Sequence, residues 1–433
     1  MNNNLKIICL FFLITHCSLD NKTGFWSKEQ VLTKSQSDFK LLFQKENIIT
    51  NEFNSDVKVS LNEKLINYNS SNKLDNNEGM VAYDGKVKKI SKYNYSKIKQ
   101  FKKFEPDLIF YNSGIIFFDN NGSILKFDKN SKLIWKKNYY SKTEKKLNPL
   151  LHMTIYNDTL IVADNLSKYY AVDVISGNIL WTKENTSPFN SQIKVYKDKI
   201  FIIDTENILN CYSIKDGKKL WNKKTEKPFV NSSKKLSLII KNENVIFNNS
   251  LGDITSVKAN NGNLIWQIST QTSQIYEDIF NLKISDLVVD DSSIYFSNNN
   301  NQFFSLDLET GTVNWQQKIN SSLRPKIIGN MVFSVSTDGY LFLIDKNSGN
   351  IIRVTNIHNQ FKKKIRNQIK LTGFLVTNNN IFVTTSNGRI ITVNIEHGKS
   401  ESVYKITNSK ISKPFVSDQN IYIIKDSSIF RIN

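Results

Sequence analysis

The chain has 433 residues, of which 39% are hydrophobic and 12% aromatic, enough for a large core in one body or several. The formal charge is +19, from 58 Lys and Arg against 39 Asp and Glu, but the lysines are scattered through nearly every turn. Such scatter reads as solvated surface rather than a nucleic-acid patch. Of the three cysteines, Cys9 and Cys17 fall in the leader and only Cys211 in the body. That excludes an internal disulfide there and any Cys-based metal site.

Residues 1–16 read as an export signal: Lys6 precedes the apolar run Ile7–Ile14, which is too short to span a bilayer. The run stops at Thr15-His16-Cys17-Ser18. An apolar core ending at a lone Cys resembles the lipobox of bacterial lipoproteins, with His16 standing where the pattern has a small residue. The resemblance implies lipid attachment at Cys17, and Ser18 implies sorting to the outer membrane. Residues 17–84 are polar and weakly patterned and are expected to be a tether with some docked structure. Residues 85–92 differ, with a strand-like pattern led by Gly85 in which Ile90 takes the place of a Trp.

From about residue 106 a frame recurs, with an Asp-type residue, a Gly four later and a Trp four after that. Asp173…Gly177…Trp181, Ser213…Gly217…Trp221, Lys258…Gly262…Trp266 and Asp307…Gly311…Trp315 keep it whole. Asp345…Gly349…Arg353 and Asn394…Gly398…Ser402 lose the Trp, and Asp128…Lys132…Trp135 is one residue shorter and lacks the Gly. Five of the chain's 6 tryptophans occupy this position, at intervals of about 40 to 49 residues, the period of propeller or solenoid units.

Each unit reads as four short strands separated by Asn- and Gly-rich turns. The Gly is expected at a tight turn needing positive φ, with the Asp side chain bonding turn amides. The Trp is expected to wedge between neighbouring sheets. Counting apolar second strands gives eight units, the last ending at its third strand, Ile429–Ile432. Residues 85–92 supply the missing strand. The expected fold is therefore all-β, an eight-bladed propeller of four-stranded antiparallel blades over 85–433, closed by the N-terminal strand.

The frames Ala171–Trp181 and Ser305–Trp315 resemble the pyrroloquinoline-quinone-type propeller repeat, and no Trp is followed by the Asp of WD-type repeats. With the leader and the count of eight, residues 106–433 resemble the BamB family of periplasmic propeller lipoproteins. This resemblance implies a non-enzymatic scaffold without cofactor, on the periplasmic face of the outer membrane. Its implied partners are the barrel-inserting subunit of the β-barrel assembly machinery and unfolded outer-membrane proteins. It would act as a monomer within that complex.

Two other readings use the same fold. A quinoprotein dehydrogenase needs a Ca²⁺ held by oxygen ligands, a catalytic carboxylate and a funnel gripping the quinone. Against it, Asp128, Asp173, Asp307 and Asp345 sit at the repeat's turn position, and no vicinal Cys pair exists. His16, His152, His358 and His397 lack metal-ligand spacing. Asp338-Gly339 and Asn387-Gly388 read as hairpin turns, and Cys211 as a buried inert thiol. The third reading is a propeller binding lipopolysaccharide or peptidoglycan through Lys362–Arg366. Partner binding is expected on the face built from second-to-third strand turns and inter-unit connections, of which 268–284 and 355–371 are long. Arg324, Lys362, Lys363, Lys364 and Arg366 are the candidates there.

Overall fold

The computed structural model describes residues 51–433 apart from 68–69, 229–231, 233, 271–281 and 367. The export signal, Cys17, residues 17–50 and most of the 268–284 connection lie outside the described residues.

Eight antiparallel sheets follow one another in the chain. Sheet 1 is built from Ile109–Tyr111, Gly114–Phe118, Ile124–Phe127 and Leu133–Lys137. Sheets 2 to 7 span 151–184, 194–224, 238–269, 288–317, 326–356 and 371–405. Sheet 8 takes three strands from 415–432 and its outermost from Lys89–Asn94. The pairing is antiparallel, with Ser91 opposite Arg431 and Tyr93 opposite Ile429.

Second strands such as Gly114–Phe118 and Asn244–Asn248 are buried along their whole length, whereas outer strands such as Leu133–Lys137 are mostly exposed. The gradient explains the unbroken apolar runs. A second strand has a neighbouring sheet on both faces, so neither face can be polar. Tyr93, Phe117, Tyr170 and Tyr422 share one cluster that joins sheets 8, 1 and 2. Ile390 and Ile423 belong to another, between sheets 7 and 8. Many first-to-second strand turns hold pairs of left-handed residues, including Asn112-Ser113, Lys197-Asp198 and Asn242-Glu243. Such two-residue turns match strand twist, which accounts for the abundance of Asn at these hairpins.

Two sequence readings need correction. In sheets 1 to 7 each outer strand has a bulge one residue before the Trp position, and in sheets 1, 2, 3, 5 and 7 the bulged residue is exposed. Ala171 faces Trp181 and Val172 faces Ile179, leaving Leu180 as the extra residue. In sheet 8 Lys89 faces Ile432 and Ser91 faces Arg431, so Ile90 is the bulged residue. Ser91, not Ile90, therefore occupies the Trp register, and Ile90 is 51% exposed as Leu180 is 54% exposed. The strand itself is Lys89–Asn94 rather than 85–92.

The second correction concerns the tether. Within 51–84, Phe53 bridges to Val354 on the outer strand of sheet 6, and Leu65–Ile66 and Met80–Val81 extend sheet 7 beyond its first strand in parallel. Polar side chains carry much of this docking, beside the buried Val59, Met80, Val81 and Tyr83, whose short apolar groups follow no strand or helix period.

Candidate functional site

Each complete repeat is a joint between sheets. Gly177, Gly217, Gly262, Gly311, Gly349 and Gly398 all have positive φ, between 66° and 75°. A second reason for glycine is contact with the preceding sheet. A Cβ on Gly217, Gly262, Gly311 or Gly349 would stand 2.6–2.7 Å from the ring of Trp181, Trp221, Trp266 or Trp315, and one on Gly177 would stand 3.1 Å from Trp135. The indoles of Trp135, Trp181, Trp266 and Trp315 also donate to Val174, Ile214, Leu308 and Lys346 carbonyls, at 2.9–3.2 Å. Each acceptor directly follows the Asp-type residue of the next sheet. Trp221 Nε1 is buried and makes no such bond.

Where the frame loses its Trp, Arg353 does the same work. Its Nη2 donates to Ile395 O at 2.8 Å, the equivalent carbonyl, and its guanidinium lies over Gly398. Nη1 reaches Glu396 O and Val57 O, which ties the N-terminal segment to the joint. The turn carboxylates Asp173, Asp307 and Asp345 each accept from the amide and hydroxyl of Ser176, Thr310 or Ser348. Those bonds favour the ionised form and lower the three pKa values, and Asp128 accepts from Asn130 and Lys132 amides. All four are turn formers.

The first strands of sheets 1 to 6 contact one another and so border the axis. Residues 71–80 run along it and visit successive sheets. Val195 donates to Asn72 Oδ1 and accepts from Asn72 Nδ2, at 2.8 and 3.1 Å. Ile240 and Val289 amides donate to Leu74 O and Asp75 O. Asn76, 2% exposed, donates to Gln192 Oε1 at 2.9 Å and Leu287 O at 3.0 Å. Glu78 binds Arg324 and Lys326 of sheet 6, and Met80 pairs with Val376 of sheet 7.

Charge collects where this segment meets the inter-sheet connections. Arg324 donates to Glu78 Oε1 at 2.7 Å and to Asp286 Oδ2 through Nε at 2.8 Å, and Asp107 pairs with Lys235 and with Lys413. Burial would raise the Glu78 carboxyl, but Lys326 and Arg324 outweigh it and hold it at about 2. The same balance puts Asp107 well below the usual carboxylate range, through Lys235 and Lys413. Arg324, expected at a partner surface, is thus committed to an internal clamp on its own chain.

The other candidates face solvent. Because the strands are antiparallel, each connection from one sheet to the next lies at the same end as the second-to-third strand turns. That face carries two short helices, α1 (Lys142–Lys146) and α2 (Lys363–Arg366). Helix α1 is opened by a capping box between Ser141 and Glu144. Lys362, Lys363 and Lys364 are exposed and form no ion pair among the described residues. Arg366 instead turns back to the Phe361 and Asn359 carbonyls. Arg324 and the α2 lysines are therefore not one site.

Cys211 is fully buried and its thiol is pushed up to about 12 by burial, which leaves it inert at neutral pH. His152 and His358 are buried and depressed to about 3 and about 4, mainly by desolvation, and His397 sits in a turn.

The family model described as outer membrane protein assembly factor BamB matches residues 120–355. The chain belongs to this family. BamB from Moraxella catarrhalis shares the fold at a TM-score of 0.66 and 16% identity, covering 80% of this chain and 100% of that one. A computationally designed protein matches at TM-score 0.61 and 11% identity, covering 81% of this chain and 99% of the designed one. A quinohemoprotein alcohol dehydrogenase from Pseudomonas putida HK5 matches at 0.56 and 11%, covering 85% and 78%. An uncharacterized protein of Rickettsia conorii is 23% identical over 383 residues, covering 82% of this chain and 88% of its own.

The dehydrogenase likeness calls for a test of fit. A quinone with its Ca²⁺ needs free oxygen ligands in an open funnel. In this BamB-family chain the axis holds residues 71–80, and the acids beside it, Glu78, Asp107 and Asp286, are all tied to Lys or Arg. Among the described residues no three His, Cys, Asp or Glu gather as metal ligands. The residues present do not fit that cofactor.

Proposed function

We propose that this chain is a non-enzymatic scaffold of the outer-membrane β-barrel assembly machinery. It is lipid-anchored through Cys17 on the periplasmic face, where it binds the barrel-inserting subunit and assists insertion of unfolded outer-membrane proteins. Membership of the BamB family carries this reading. The exposed lysines 362–364 support it, since they stand on the face of the inter-sheet connections with no acidic partner among the described residues. Long connections on a rigid body are where binding concentrates, and lysines there suit an acidic partner surface.

Affinity capture from detergent-solubilised envelopes tests it. The barrel-inserting subunit is expected in the eluate, and Lys362→Glu with Lys363→Glu and Lys364→Glu should lower its yield roughly fivefold at low salt. The same variant tests the polyanion reading, because binding to purified lipopolysaccharide with no capture of the subunit would favour that alternative. Quinone-dependent dye reduction by the pure protein would favour the enzyme.

A further inference from the structure

Lys194, on the first strand of sheet 3, is only 2% exposed. Its Nζ donates to Lys73 O and, at 2.8 Å, to Asn76 Oδ1, and among the described residues it has no carboxylate within ion-pair distance. An ammonium has three N–H donors, so one is left without a protein acceptor among the described residues. A buried cation held only by neutral oxygens is costly unless an anion completes it. Beside Lys194 is a cavity of about 40 Å³, bordered by Arg324, Lys413, Ser70, Ser71 and Gln192. That volume holds more than one water-sized group.

The carboxylates bordering the same cavity do not answer Lys194. Glu78 is clamped by Arg324 and Lys326, and Asp107 by Lys235 and Lys413. Asp286 is taken by Arg324, and Asp75 and Asp286 act on Lys194 only at longer range. Lys234, half-buried close to Arg324 and Asp286, likewise forms no ion pair among the described residues and donates to Ser322 O.

We propose that this axial cavity binds a small oxyanion of the sulfate or phosphate class, held by Lys194, Arg324 and Lys413 with the Ser70, Ser71 and Gln192 side chains as neutral partners. The inference is independent of the scaffold role. Burial, with Arg324 adding to it, lowers the Lys194 ammonium to about 7, against the pull of Asp286, Asp107 and Asp75. Binding therefore strengthens as pH falls through that value and Lys194 gains its proton.

Sulfate is the probe, because its charge does not change between pH 6 and 8.5. Thermal unfolding of the full chain is followed in a sulfate titration at ionic strength matched with chloride. At pH 6 a saturable rise of about 2–5 °C is expected, shrinking markedly at pH 8.5. Lys194→Met should remove the saturable part and leave the linear salt effect that any protein shows. A linear rise of equal slope in both proteins, an adventitious ion only, overturns the proposal. If Lys194→Met does not fold, the wild-type comparison decides, and equal saturable shifts at the two pH values overturn it.

Discussion

A Cβ on Gly311 would stand 2.6 Å from the Trp266 ring on a backbone with φ of 74°. Gly311→Ala therefore meets both a disfavoured conformation and a clash, and should cost about 2–4 kcal/mol. Trp266→Ala should cost about 3–5 kcal/mol from lost burial. The two should be strongly non-additive, because removing the indole removes the clash. Urea unfolding of the double-mutant cycle measures this, and additivity within about 0.5 kcal/mol would contradict the joint. The spacing of Gly and Trp made these joints legible in the sequence. Arg353 was not legible as part of one, because a frame lacking its Trp reads as lost, whereas in the fold its guanidinium reaches the same carbonyl. Arg353→Ala frees Val57 O, Glu396 O and Ile395 O together. Limited proteolysis should then cut near residues 53–59 several-fold faster than in the wild type, and the unfolding midpoint should fall as it does when a joint loses its Trp.

The N-terminal segment was the least legible element. Its hold on the axis comes from Asn72, Asn76 and Glu78 bonding to strand edges, and side-chain amides carry no period that a hydrophobic pattern can register. Burial at Asn76 is as complete as in the apolar core, but hydrogen bonds produce it. The Glu78 carboxylate makes the segment pH-sensitive with a definite sign. Its pKa is lowered from 4.5 to about 2, so its contribution is present above pH 4.5 and is lost as pH falls toward 2. Acid unfolding of Glu78→Gln should therefore begin from a lower stability at neutral pH and flatten between pH 4.5 and 2. A variant whose acid limb overlays that of the wild type would show that the clamp contributes nothing.

At the scale of the whole molecule the fold class, the count of sheets and the faces were all legible, since repetition amplifies a weak signal. The closing strand was displaced by a few residues, because without a Trp the bulge hides which residue holds the register. The seam itself has the geometry of an ordinary hairpin. Lys88 N donates to Asn433 O at 2.7 Å and Asn433 N donates back to Lys88 O at 2.9 Å. A permuted chain that starts near residue 95 and carries 86–94 after Asn433, joined by a two-residue Asn-Gly turn, should keep the β-rich far-ultraviolet spectrum. It should lose the axial contacts of residues 71–80, and with them stability.

That seam also orders events in time. The strand that completes sheet 8, Lys89–Asn94, is made more than three hundred residues before its partner Ser428–Ile432. Nothing emerging from a ribosome can seal the circle until Ser428–Ile432 is out. Until then Lys89–Asn94 stays an open edge, waiting on residues more than three hundred positions away. Loop closure over such a span is slow, so the seam should be among the last contacts to form when the chain folds.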